Sequence, residues 1–346
     1  MLRHLIPAVG ALLLGAGVAA QSAGDSENED LREARRSYEL SEGRSPKDDK
    51  QLASATLNYG ESLLREYRLA ESRKMLKLAL KRYEALYGKD SPELVPALLL
   101  LAQAEVSYPA LRPNDRRLNR ARKIAMDGLD NASTEFADQM LAIGQVSLYD
   151  PPPKVAGSEI QSAYQIYLTT LGPHAMKTGE AAFAMGRYLM ARNGLDEAQP
   201  YLESALKIFD PSDAARRERH IAVRTFWGGT LDGRGMRDKA TVHYVAIGSL
   251  LESDASDEML PLLRAAPVYP PGALRFGISG YVDWRFTVDE KGFVVDPEVV
   301  EIQGSEEFRK ASLRALMRFR YPPRFVDGAP VAQSGVTTRI TFTIMD

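Results

Sequence analysis

Chemistry at a protein site needs a nucleophile, a general base or a set of metal ligands at workable spacing. This chain has few candidates. Its histidines are His4, His174, His220 and His243, and it has no cysteine. No two histidines stand as His-x-x-x-His or His-Glu-x-x-His, the spacing that puts two imidazoles on one helix face around zinc. Without cysteine there are no thiolate metal sites, no disulfides and no cysteine to carry a lipid. The stretch "GISG" ending at Gly280 lacks the full Gly-x-Ser-x-Gly elbow of a serine nucleophile. "WGGTLDGRGMRD" is glycine-rich but follows a helical pattern, so it is no dinucleotide loop. The acidic "DEK" at 289–291 reads as a turn. These residues predict a non-enzymatic protein with no cofactor and no metal. Five arginines in the tail, Arg309, Arg314, Arg318, Arg320 and Arg324, form a cationic cluster. Acidic residues surround them in equal measure, so they are read as solvating an exposed helix face.

Composition narrows the class. Hydrophobic residues make up 45% and charged residues 26%, ordinary values for a soluble globular chain. A formal net charge of −2 gives no electrostatic case for nucleic acid or an anionic membrane as partner. A length of 346 residues predicts two domains. The first twenty residues pair a basic start (Arg3, His4) with an apolar run from Leu5 to Ala20. Val18 and Ala20 then occupy the −3 and −1 positions of a cut before Gln21, the pattern of a secretory signal peptide over 1–20. The run is shorter than the roughly 20 residues of a membrane span and contains Pro7. The expected location is therefore the periplasm, the alternative being an uncleaved inner-membrane anchor. Residues 21–49 are polar and charged and read as a flexible lead-in, with one short helix from Leu31 to Leu40.

Residues 50–252 repeat with a period of 42. Gly60, Ala102, Gly144, Gly186 and Gly228 form one series of small residues. Ala79, Ala121, Ala163 and Ala205, ending at Ile247, form a second, and Leu76, Leu118, Ile160, Leu202 and Tyr244 a third. Three series in one register predict a solenoid of about five antiparallel helix pairs. The unit "AAFAMGRYLMARNGLDEAQPYLESALKIFDP" is clearest, with Asn193-Gly194 as the turn between helices. Its small and large positions resemble the tetratricopeptide (TPR) consensus, whose usual period is about 34 residues. That resemblance implies a surface for a second protein partner. "YPALRPNDRR" and "YDPPPKVAG" put prolines where tight turns belong, so the second and third units are degenerate.

After a linker at 253–266, the tail at 267–346 changes period from helical to alternating. Val282, Trp284, Phe286 and Val288 point one way, and Tyr281, Asp283, Arg285 and Thr287 the other. Asp289 to Gly292 supplies a turn, and a second strand follows whose Pro297 demands a sheet edge or a bulge. A helix from about Ser305 to Phe319 buries Phe308, Ala311, Ser312, Ala315, Leu316 and Phe319, and Pro322-Pro323 stops it. The last strand turns Thr338, Ile340, Phe342 and Ile344 inward. The fold class is thus α+β in two domains: a helical solenoid, then a β-β-α-β module.

This module closely resembles the C-terminal domain of TonB-family energy transducers. The resemblance is carried by Tyr269-Pro270, Gly280, Val288-Asp289 with Gly292, Val299-Val300, Gly304, Ala311 and Ala315. It continues through Phe319 and Tyr321 around Arg320, Pro323, Asp327-Gly328 and Phe342. It implies a periplasmic domain that grips an extended segment of an outer-membrane receptor, added as a strand beside the terminal strand. Carried over, the edge runs from Val336 to Ile344. The partner-binding candidates are Tyr269, Pro270, Val336, Thr337, Arg339, Thr341 and Thr343. The expectation is a periplasmic protein-interaction adaptor for transport or another envelope process. The alternatives are a membrane-anchored TonB-type transducer and a structural envelope protein whose edge pairs with itself.

Overall fold

The structure, a computed structural model, describes residues 28–44, 48–106, 115–148, 156–251 and 259–344. The expected signal peptide and the proline-bearing turns at 107–114 and 149–155 lie outside the described residues. The chain is helix-rich with a small antiparallel sheet near its C-terminus. It divides into two compact units, Met1–Ile208 and Phe209–Asp346. The linker expected at 253–266 therefore falls inside the second unit.

In the first unit, α1 (Glu29–Gly43) precedes the pairs α2 (Asp49–Arg65) with α3 (Leu69–Tyr87) and α4 (Val95–Val106) with α5 (Asp115–Gly128). The pairs α6 (Thr134–Ser147) with α7 (Ala156–Thr170) and α8 (Met176–Ala191) with α9 (Leu195–Ile208) follow. Within the lead-in, the helix expected from Leu31 to Leu40 runs from Glu29 to Gly43. Asn28 caps α1 by accepting a hydrogen bond from the Asp30 backbone, and Leu31 is buried beside Leu63 and Met75.

The period of 42 has a physical cause. Small residues on the first helix of each pair face large residues sixteen positions later on the second. A Cβ added at Gly60 lies 2.8 Å from Leu76, one at Gly144 2.5 Å from Ile160, and one at Gly186 2.5 Å from Leu202. Nothing larger than glycine fits such a gap without moving the partner. Ala79, Ala121, Ala163 and Ala205 are all fully buried, which lets the helix axes come close. Between α8 and α9, Asn193 adopts a φ of 63° and the Gly194 N–H bonds the Leu189 carbonyl, closing the expected turn.

The second unit holds α10 (Ala214–Gly233), α11 (Arg237–Leu251), a short α12 (Pro271–Arg275), β1 (Gly280–Val288) and β2 (Val294–Gln303). It continues with α13 (Glu307–Leu316), a small hairpin of β3 (Arg324–Val326) and β4 (Ala329–Val331), and β5 (Gln333–Phe342). The β3–β4 hairpin around Asp327-Gly328 was not expected from the sequence. The main sheet has the order β2-β1-β5, antiparallel throughout. Pro297 sits as its chemistry requires, on an edge strand and at a break in the β1–β2 register next to Asp296, whose φ is 49°.

The core of the module is Val282, Trp284, Phe286 and Val288 of β1 against Phe308, Ala311, Ala315 and Leu316 of α13, with Ile340 and Phe342 of β5. The Trp284 indole donates to the Ser312 hydroxyl at 3.0 Å, and that hydroxyl donates to the Phe308 carbonyl. This satisfies the two buried polar groups of the stripe. Gly292, with φ of 81°, lies so close to the Tyr321 carbonyl that no side chain fits there.

The unit is one body because α11 packs on the module. A Cβ at Gly248 lies 2.4 Å from the Pro323 carbonyl oxygen. Arg320, 1% exposed, donates to Thr241 of α11 and to the Lys291 carbonyl. Its guanidinium lies 3.5 Å from the Phe293 ring centre and 4.6 Å from that of Tyr244. One of the five arginines read as surface residues is therefore a buried anchor, while Arg309, Arg314, Arg318 and Arg324 are exposed.

Candidate partner-binding edge

β5 is an edge strand, and the hydrogen-bond parity of the sheet shows which of its groups stay open. At the β1–β2 turn, the Asp289 N–H bonds the Phe293 carbonyl, so odd-numbered residues of β1 aim their backbone at β2. The register breaks between β1 and β2 consume extra residues only on β2, so β1 keeps this parity. Even-numbered β1 residues then face β5, pairing Phe286 with Val336, Trp284 with Thr338, Val282 with Ile340 and Gly280 with Phe342. It follows that Thr337, Arg339 and Thr341 turn their N–H and C=O groups away from β1, to the open side. A separate observation agrees. The Arg264 guanidinium donates to the Arg339 carbonyl at 2.9 Å from outside the sheet.

The edge is bounded. The β1–β5 register slips between Phe286 and Val288, and Gly335 has a φ of 76°, so a bulge opens the strand at Ser334-Gly335. Seven residues, Val336 to Phe342, pair with β1 without a break, enough for a short added strand. Their outward side chains keep the strand soluble. Arg339 forms a two-pronged ion pair with Asp283 at 2.6 and 2.7 Å and lies 3.7 Å from the Tyr281 ring centre. The hydrogen bonds that Arg339 donates to Asp283 push its pKa up, and the one that the Tyr281 phenol donates to Glu301 does the same for that phenol.

The structure sorts the seven sequence candidates. Thr337, Arg339 and Thr341 come together on the open edge. Val336 is buried against the core and its backbone faces β1. Thr343 lies just past the end of β5 and is exposed. Tyr269 packs edge-on to Phe308 and Phe342, with ring centres 5.8 and 5.6 Å away, and its hydroxyl donates to the Ile278 carbonyl. Pro270 is buried beside it. Tyr269 pins the end of β5 to the core. Arg264 was missed, because nothing in the sequence of a linker signals that its side chain reaches a strand 75 residues later.

Among the described residues no cluster of three metal-ligating side chains occurs, and no helix is long and apolar enough to cross a membrane. His220 is fully engaged: Nδ1 lies 2.8 Å from the Phe209 carbonyl oxygen, and Nε2 accepts from Arg224. His243 lies against Trp227, the rings tilted by 35° with centres 4.6 Å apart.

With this geometry in view, residues 265–344 match the family of the Gram-negative bacterial TonB protein C-terminal. The protein TonB of Pseudomonas aeruginosa is 36% identical over 86 residues, covering 25% of this chain and 24% of that protein. The protein TonB of Vibrio cholerae is 29% identical over 69 residues, covering 20% of this chain and 28% of that protein. The chain thus spans about a quarter of the length of the curated relatives it matches. The solution structure of the P. aeruginosa TonB C-terminal domain is matched over 91% of its length and 26% of this chain, at 32% identity and a TM-score of 0.23. The crystal structure of BtubC from P. vanneervenii matches 70% of this chain and 96% of its own at 16% identity and a TM-score of 0.49. That likeness is too slight to assign the helical region a family. The similarity to the TonB family thus falls on the C-terminal module.

Proposed function

We propose that this protein is a non-enzymatic envelope adaptor, exported to the periplasm, whose C-terminal domain captures an extended segment of a partner by strand addition to β5. The partner is an outer-membrane receptor or another envelope protein. The helical pairs, TPR-like in their repeat, hold a second protein. The observation that carries this reading is the row of open backbone groups at Thr337, Arg339 and Thr341, on a strand bonded on one side only. An added strand gains its affinity from backbone hydrogen bonds, so such a site accepts an extended segment while remaining tolerant of its sequence. The match of this same stretch to the TonB C-terminal family supports it.

The test exploits the parity of β5. Thr341→Pro removes an N–H that faces the open side, leaving the β1 ladder whole. Ile340→Pro removes an N–H that bonds β1. Binding of the full chain to fluorescent peptides copying the periplasm-facing N-terminal segments of outer-membrane transporters is measured by anisotropy. T341P is expected to abolish capture and keep native tryptophan fluorescence, whereas I340P loses the fold. Undiminished capture by T341P refutes strand addition at β5.

The same open edge also favours pairing between two copies of the chain. Sedimentation of the full chain separates the readings: a dimer that T341P dissociates indicates self-pairing, and a monomer with an accessible edge indicates a captured partner.

A further inference from the structure

A groove opens in the first unit between α4 and α6, with a volume of about 320 Å³. Its walls are apolar: Pro96 and Leu99 on one side, Ala142 and Val146 on the other. Leu99 and Val146 belong to the helix core, so the groove has a rigid floor. Ala142 is half-buried, and its small side chain leaves the opening free.

The charged side chains that line it have one sign. Glu93, Glu135 and Asp138 line the groove, and no lysine or arginine does. Asp138 is neutralised by Lys177 at 2.6 Å and accepts from the Tyr167 hydroxyl. Glu93 and Glu135 are exposed and accept hydrogen bonds from the hydroxyls of Ser91 and Thr134, and neither forms an ion pair among the described residues. Gln139 lines the same wall, and its Oε1 is buried without a hydrogen-bond donor. An unpaired buried acceptor is costly, and turning the side chain toward a donor in the groove relieves that cost. The groove therefore presents an apolar slot, two uncompensated carboxylates and a spare acceptor.

We infer that this groove docks a protein segment that inserts an apolar side chain and flanks it with lysine or arginine. The inference rests on the adaptor reading in one respect: the helical region is taken to have a protein partner. The slot selects the apolar side chain by burial, and Glu93 and Glu135 select the cationic neighbours and speed their approach. This mode of recognition differs from that at β5, where backbone groups meet the partner.

The probes are two synthetic peptides, Ser-Lys-Leu-Lys-Phe-Lys-Ser and the same peptide with glutamate for lysine, titrated calorimetrically into the full chain. The lysine peptide is expected to bind at least tenfold more tightly than the glutamate peptide, with affinity falling as salt rises. Ala142→Phe fills the slot and is expected to weaken binding about tenfold. The double change Glu93→Gln and Glu135→Gln, both at exposed positions, is expected to weaken it about fivefold and flatten its salt dependence. Equal binding of both peptides, no binding, or unchanged affinity in the double variant overturns the inference. T341P keeps the edge and the groove apart. Loss of lysine-peptide binding in that variant places the peptide on β5 and overturns the groove. Absence of lysine-peptide binding beside normal capture of transporter peptides sinks the groove and leaves the adaptor reading standing.

Discussion

The helix pairs of the first unit and the sheet of the second solve the backbone problem in opposite ways. Each helix satisfies its own N–H and C=O groups along most of its length, so whatever meets that region meets side chains. The sheet leaves one row of backbone groups, at Thr337, Arg339 and Thr341, facing away from any neighbouring strand among the described residues, with only the Arg339 carbonyl taken up by a side chain, that of Arg264. The first region holds together by one contact repeated, small on large across each pair, as at Gly60 with Leu76 and Gly186 with Leu202. The second depends on single residues that recur nowhere, chief among them Arg320. Redundant packing gives the one its tolerance of degenerate units. A unique core gives the other a fixed strand whose edge is offered in one register.

Arg320 tests this contrast most severely. Burial lowers its pKa, yet it stays charged by lying against Phe293 and Tyr244 and donating to Thr241 and Lys291. Arg320→Ala removes the anchor between α11 and the module and leaves nearly buried Asp232, 3.9 Å away, without its cation. Removing one member of such a set costs about 3–5 kcal/mol. Both tryptophans, Trp227 and Trp284, lie in this unit, so their fluorescence during urea unfolding reads it directly. Arg320→Lys should recover little, because an ammonium lacks the flat face that meets the rings. A loss below 1 kcal/mol would show that the unit does not depend on this residue.

Gly186→Val probes the repeated contact. Its new side chain runs into Leu202, 2.5 Å from the Cβ position, and overpacking of this kind costs about 1–3 kcal/mol. Helical ellipticity should fall at lower urea while tryptophan fluorescence keeps its midpoint. Adding Leu202→Ala should recover part of the loss. A shift in both signals would mean that the two units unfold together.

His243 supplies a pH-dependent version of the same comparison. Burial, with the Arg224 charge adding to it, pushes its pKa from 6.5 down to about 4. Between those values the unfolded chain binds a proton that the folded chain refuses, so stability present above pH 6.5 is lost as pH falls toward 4. The full effect is about 3–3.5 kcal/mol, confined to the second unit. His243→Gln should flatten that part of the profile read from tryptophan fluorescence. Parallel profiles for both proteins would remove His243 as the cause.

The sequence carried the fold where one signal dominates locally. Alternation showed β1, glycine showed its turn, Pro297 announced its bulge, and the 42-residue series announced the helix pairs. What stayed hidden is tertiary. Arg320 looks like its four exposed neighbours, since only the placement of α11 against Phe293 makes it buried. The β3–β4 hairpin has three-residue strands, too short to alternate visibly. At the candidate edge, the alternation of side chains singled out Thr337, Arg339 and Thr341. It did not exclude Val336, because the choice depends on which neighbour each backbone group faces. The groove between α4 and α6 is built from residues of two repeats and leaves no mark in either.

The smallest effect concerns Arg264, where the second region partly copies the first by covering a backbone group with a side chain. Its guanidinium occupies the Arg339 carbonyl, the central acceptor of the open row. An incoming strand must donate its own N–H there, so it has to displace Arg264 before it gains that bond. The contact is solvent-exposed and contributes about 0.5–1 kcal/mol, which the partner forfeits. Arg264→Ala should therefore tighten capture of transporter peptides about twofold to fivefold, mostly through faster association, with little change in the stability of the unit. Weaker capture would give Arg264 the opposite role, a donor to the partner rather than a placeholder on the edge. The two regions would then differ less than their backbones imply, since side chains would be recruiting the partner in both.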